Sequence, residues 1–160
     1  MVQFMLNGEA VALAVPDDVP LLQALRGPAG LSGPRFGCGN ELCGSCMVLV
    51  GGTPRYACTL AAGAVAGQQV VTVEGLGTPA APHPLQSAFL AEQAGQCGYC
   101  LSGILVSAAA LLARDKSPDE AAIRAALEPH LCRCGSHNRI IRAIQRAAEA
   151  IQSAMAEAIP

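Results

Sequence analysis

Eight cysteines fall into two groups of four: Cys38, Cys43, Cys46 and Cys58, spaced C-x4-C-x2-C-x11-C, and Cys97, Cys100, Cys132 and Cys134, spaced C-x2-C-x31-C-x-C. No other feature restricts the fold as much, because each group must be closed by bringing distant segments together. The first three cysteines of the first group match the ligand run of plant-type [2Fe–2S] proteins. Gly37, Gly39 and Gly44 lie among them, where a backbone has to approach sulfur closely and aim N–H groups at it. Zinc fingers and ribbons usually present two C-x2-C pairs instead. The second spacing, taken alone, suits a four-cysteine zinc site as well as a cluster. Beside a first redox centre a second has an evident use, since electrons can then pass in steps, and thiols in a reducing compartment serve as metal ligands more often than as disulfides.

The chain divides at Gly75 to Pro84, GLGTPAAPHP, whose prolines and glycines oppose regular structure. Before it, Val2–Asn7 and Glu9–Val15 are strand-like runs meeting at Asn7-Gly8, which predicts a β-hairpin. A short helix is expected over Pro20–Arg26, and further strands over Met47–Val50, Arg55–Cys58 and Gln69–Glu74. After it, helical periodicity covers Leu85–Ala94, Tyr99–Ala113, Pro118–Leu127 and Asn138–Ala158, and Ser117-Pro118-Asp119-Glu120 has the layout of a capping box. The expected division is an α+β domain over 1–76, a linker over 77–84 and a helical domain over 85–160.

Charged residues make up only 14% of the chain, against about a quarter in an average domain, and hydrophobic residues 52%. A surface so poor in charge is suited to burial against a partner. The net charge of -2, with ten Lys and Arg scattered along the length, gives no footprint for nucleic acid. The first positive charge is Arg26 and no apolar stretch approaches the ~20 residues of a membrane span, so a cytoplasmic chain without a transmembrane segment is expected. His83, His130 and His137 read as loop or cap residues, since eight thiolates already complete two four-ligand sites. No Ser-His-Asp order, paired carboxylates, Walker A sequence or G-x-G-x-x-G loop is present. Any substrate chemistry then belongs to another chain.

Pro34-Arg35-Phe36-Gly37-Cys38-Gly39, Cys43-Gly44-Ser45-Cys46, Gln96-Cys97-Gly98-Tyr99-Cys100 and Leu131-Cys132-Arg133-Cys134-Gly135 occur in this order. Together they resemble the small iron–sulfur subunit of the molybdenum hydroxylases, the xanthine oxidase family, over nearly the whole length. The resemblance implies a β-grasp, ferredoxin-like N-terminal domain and a C-terminal four-helix bundle. It also implies a large partner subunit whose molybdenum–pterin cofactor, in its cytosine dinucleotide form, hydroxylates a C–H position with oxygen from water and releases two electrons. On that reading Cys97, Cys100, Cys132 and Cys134 hold the cluster proximal to molybdenum and Cys38, Cys43, Cys46 and Cys58 the distal one. Gln96 and Cys134 match positions that touch the pterin.

Ala80–Phe89 and Gly135-Ser136-His137 look most like the small subunits of bacterial nicotinate dehydrogenases and isoquinoline oxidoreductases, often two-subunit units without flavin, some passing electrons to haem. Ser45, Met47 and Leu101-Ser102 depart from the commoner Ala, Thr and Thr-Pro without touching a ligand. The reading preferred is an electron-transfer subunit serving a hydroxylase of an N-heteroaromatic such as nicotinate, with a cytochrome, haem or flavin as acceptor. The alternatives are an aldehyde-oxidising member of the family, a free ferredoxin-like carrier, and a zinc-organised interaction module. A diffusing carrier generally docks through charged patches, which this chain lacks.

Overall fold

The computed structural model describes residues 1–157. Asn7 and Gly8 take φ of 52° and 90°, the positive values a tight hairpin turn requires. They join β1 (Val2–Leu6) to β2 (Glu9–Leu13) in antiparallel register. β3 (Met47–Val50) and β4 (Thr53–Tyr56) form a second hairpin, and β5 (Gln69–Val71) lies between the two, parallel to β1 and antiparallel to β3. The resulting order, β2-β1-β5-β3-β4, is the β-grasp arrangement. α1 (Leu21–Arg26) buries Leu21, Leu22 and Leu25 in a core with Phe4, Leu6, Val48, Val65 and Val70.

α2 (Pro84–Ala91), α3 (Leu101–Arg114), α4 (Glu120–Leu127) and α5 (His137–Glu157) make the four-helix bundle. Ile140, Ile144, Ala147 and Ile151 recur at helical spacing on α5 and pack with Leu85, Phe89, Ile104, Leu112 and Ile123. A third, smaller cluster couples the halves, with Met47 and Leu49 of β3 against Val106 and Ala110 of α3. The β3 side of the sheet's outer face is therefore covered by α3. Among the described residues no helix is long and apolar enough to cross a membrane.

Several boundaries differ from the sequence expectation for identifiable reasons. Ser117 does not cap α4. Its N–H is held by Asp115 Oδ1 at 2.9 Å, and Asp119 caps instead, accepting from Ala122 N–H at 2.7 Å. The capping box belongs to α2. There His83 Nδ1 accepts from Leu85 N–H at 3.1 Å, Gln86 Oε1 accepts from His83 N–H at 2.8 Å, and Pro84 fills the first helical position. β5 stops at Val71 because the Glu74 carboxylate turns back to accept from Gly33 N–H and from Thr72 Oγ1, both at 2.6 Å. The strand expected over Arg55–Cys58 is displaced to Thr53–Tyr56, which puts Cys58 in the following turn. The last residues of the helix expected to reach Ala158, and of the 85–160 division, lie outside the described residues.

Candidate metal centres and the seam between them

The loop from α1 to β3 carries Cys38, Cys43 and Cys46, and the turn after β4 brings Cys58 to them. Backbone N–H groups point at sulfur throughout this loop. Asn40 and Leu42 donate to Cys38 Sγ at 3.4 and 3.2 Å, and Cys38 N–H donates to Cys43 Sγ at 3.4 Å. The Asn40 N–H is the main reason the Cys38 thiol is held down at about 7. Burial does the opposite at Cys46, pushing its thiol up to about 12. Gly37 packs so tightly that a side chain there would sit 2.6 Å from Cys43 Sγ.

In the second set, Cys97 and Cys100 precede α3 while Cys132 and Cys134 lie between α4 and α5. All four line one narrow cleft with Gly95, Gln96 and Ser136. The Tyr99 N–H lowers the Cys97 thiol, with Cys134 adding to the effect. Burial raises Cys100 to about 12. At Cys132 burial works upward, yet the thiol is lowered, because N–H groups of Ser136, Cys134 and Gly135 and the Cys100 side chain converge on it.

Within each set the thiols interact as two pairs: Cys38 with Cys43, Cys46 with Cys58, Cys97 with Cys134, and Cys100 with Cys132. Among the described residues no three His, Cys, Asp or Glu side chains gather about one point as a single ion requires. Thiols taken two by two suit a centre with two irons, each taking two thiolates. The donor chemistry fits as well, since thiolates favour soft metals and the aimed N–H groups offset negative charge on sulfur.

The two sets meet along a seam the sequence did not reveal. Leu131 N–H donates to the Cys43 carbonyl at 3.1 Å. Beside that bond, Gly44 (φ 71°) packs against His130 and Gly103 with no room for side chains. His130 is buried, its Nε2 2.8 Å from Ser107 Oγ, and burial pushes its pKa down to about 4, so the ring is neutral. It lies in the loop between α4 and α5, as expected, and there forms a packed post between the halves. Farther along the seam, the Arg35 guanidinium donates to the Gly98 carbonyl and Tyr99 Oη donates to the Phe36 carbonyl.

Gln96 and Cys134 are brought together: Gln96 Nε2 donates to the Cys134 carbonyl at 3.2 Å. A helix-capping role for Gln96 is excluded, since α3 begins only at Leu101 and has no side-chain cap. Gln96 opens onto a groove of about 800 Å³ whose walls include Phe89, Leu90, Leu101 and Leu105.

Two family models match in tandem: a 2Fe-2S iron-sulfur cluster binding domain over residues 4–70 and a [2Fe-2S] binding domain over residues 72–145. In Pseudomonas putida, one nicotinate dehydrogenase subunit is 45% identical over 148 residues, covering 92% of this chain and 94% of that one. The alpha subunit of isoquinoline 1-oxidoreductase from Brevundimonas diminuta is 48% identical over 150 residues, covering 93% and 98%. The chain belongs to the small iron–sulfur subunits of the molybdenum hydroxylases. Among solved structures, quinoline 2-oxidoreductase from Pseudomonas putida 86 contains a chain that superposes with a TM-score of 0.90 at 34% identity, covering 95% of both chains. As an iron–sulfur subunit of this family, the chain is an electron-transfer component of an oxidoreductase.

Proposed function

We propose that this chain receives electrons from a molybdenum–pterin cofactor, in its cytosine dinucleotide form, held by a large partner subunit. Cys97, Cys100, Cys132 and Cys134 hold the proximal [2Fe–2S] cluster, and Cys38, Cys43, Cys46 and Cys58 hold the distal one, which delivers to an external cytochrome, haem or flavin. The observation that carries this reading is the pairing of thiols within both sets together with the direct seam between them. When bound, each cluster supplies a one-electron acceptor and donor. The protein's own residues keep the sulfurs paired, surround them with N–H donors and join the two loops without an intervening side chain. The complex is placed in the cytoplasm, where the thiols stay reduced.

Similarity to subunits named for nicotinate and isoquinoline supports an N-heteroaromatic substrate, with nicotinate the first to test. The large subunit covers the groove beside Gln96, because an apolar wall next to the Cys97 set needs covering and because Gln96, which holds the Cys134 carbonyl, lines it. Co-purification under native conditions tests the assembly: a large molybdenum-containing chain is expected in stoichiometric amount, and a lone monomer would favour the free carrier. Nicotinate added to that complex should reduce both clusters; reduction by an aldehyde instead would select the other substrate class. In the Gln96→Ala variant of the complex, cluster reduction by substrate is expected to slow by about tenfold or more, as for loss of one positioning contact. Its melting temperature should hold, because Gln96 is exposed. Stopped-flow reduction read beside a thermal melt checks both; normal electron flow would remove Gln96 from the pterin contact.

A further inference from the structure

Arg35 belongs to the first cysteine loop by sequence, three residues before Cys38, yet its side chain serves the second. Its guanidinium donates to the carbonyl of Gly98, between Cys97 and Cys100, and lies 5.4 Å from the centroid of the Tyr99 ring. The backbone of Arg35 is fixed by its own N–H, which donates to the Ser45 carbonyl at 3.0 Å. Tyr99 in turn donates to the carbonyl of Phe36, so the ring and the cation are held by reciprocal ties across the seam. The residue is half-buried, and among the described residues no carboxylate pairs with it.

We infer that Arg35 is a positioning residue that raises the reduction potential of the cluster held by Cys97, Cys100, Cys132 and Cys134. This rests on the two-cluster reading above. Reduction adds one negative charge to the four-thiolate centre, and a fixed, partly desolvated cation beside it stabilises the reduced form. Arg133, between Cys132 and Cys134, is exposed, so water and salt screen its charge more strongly. The first set is affected less, because the guanidinium is turned toward the Gly98 carbonyl of the second. The device couples the two centres: the loop that wraps one of them supplies the charge that sets the other, favouring electron entry at the proximal site.

The test is a redox titration of the native complex followed by EPR, with the signal of the second set identified by its loss in Cys100→Ser. In Arg35→Gln the midpoint of that signal should move to more negative potential. Its reduced-to-oxidised ratio at a fixed potential should fall about three- to tenfold, a size set by one partly screened charge, and the other signal should move less. Arg35→Lys keeps the charge and should restore most of the shift. Tyr99→Phe removes a tie but no charge and should leave the midpoint in place. An unmoved midpoint in Arg35→Gln, or an equal shift in Tyr99→Phe without rescue by lysine, overturns the inference while the two signals leave the two-cluster reading standing. If wild-type protein gives fewer than two reduced signals, that reading fails and this one with it.

Discussion

Gly103→Ala is expected to destabilise the protein by about 3 kcal/mol or more, at or above the upper end of ordinary overpacking, and to lower its melting temperature by roughly 6–12 °C. Gly103 sits on α3 where the first cysteine loop crosses it. A Cβ there would lie 2.0 Å from the Gly44 carbonyl oxygen and 3.0 Å from its carbon, with the His130 ring at 3.4 Å. The atoms in the way are backbone, so no rotamer change relieves the clash. Either the loop carrying Cys43 and Cys46 lifts away from α3 or the helix shifts against β3. Lifting the loop also breaks the Leu131 N–H bond to the Cys43 carbonyl. Gly51→Ala makes the contrast: its φ of 56° is positive, unlike that of the helical Gly103, but a side chain there meets nothing within 4 Å, so its cost is the backbone strain alone, about 1 kcal/mol. Thermal melts of the two variants check the difference. Equal, small losses would mean that the halves are not in tight contact at this point.

Cys46→Ser and Cys100→Ser are each expected to abolish one centre and spare the other. Both thiols are among the most buried of their sets, and each forms one of the two pairs within it. Serine keeps the shape but offers a hard oxygen that stays protonated, a poor partner for iron. Iron should fall from about four to about two per chain in either variant, with acid-labile sulfide falling in parallel. The two variants should lose different spectroscopic signals, because one set lies in a loop with many N–H donors and the other is enclosed by helices. Elemental analysis with EPR of the dithionite-reduced variants reads the outcome. Loss of all iron from a variant that still melts cooperatively would show the sets to be interdependent and not two separate centres.

Most of the architecture was legible because it depends on short-range signals. The hairpin followed from Asn7-Gly8, and the α5 core face from Ile140, Ile144 and Ala147. The cysteine groups followed from spacing alone. What escaped depends on residues far apart in sequence. Arg35 and Gly98, or Tyr99 and Phe36, are 63 positions apart, and no local pattern announces that an arginine of one loop will reach the other. His130 and Ser107 looked like isolated polar residues, and only the packing of α3 beneath the loop makes them a buried pair. The loop or cap role read for His83 is what the structure shows at α2, and it works because burial favours the neutral ring, which can accept; its box with Gln86 was missed, since histidine is a rare N-cap. The cap expected at Ser117 falls at Asp119 because the helix begins only at Glu120, so that Asp119 stands three residues before the free N–H of Ala122.

Two [2Fe–2S] centres on one chain, each held by one of the two cysteine groups, require a fixed number of spins and a fixed metal content. Both are read by quantitative EPR of the fully reduced wild-type protein, with iron, sulfide and zinc measured on the same sample. About two spins per chain in two resolvable signals are expected, with iron and sulfide in equal amounts near four each. About one spin per chain, or stoichiometric zinc in place of half the iron, would contradict the assignment.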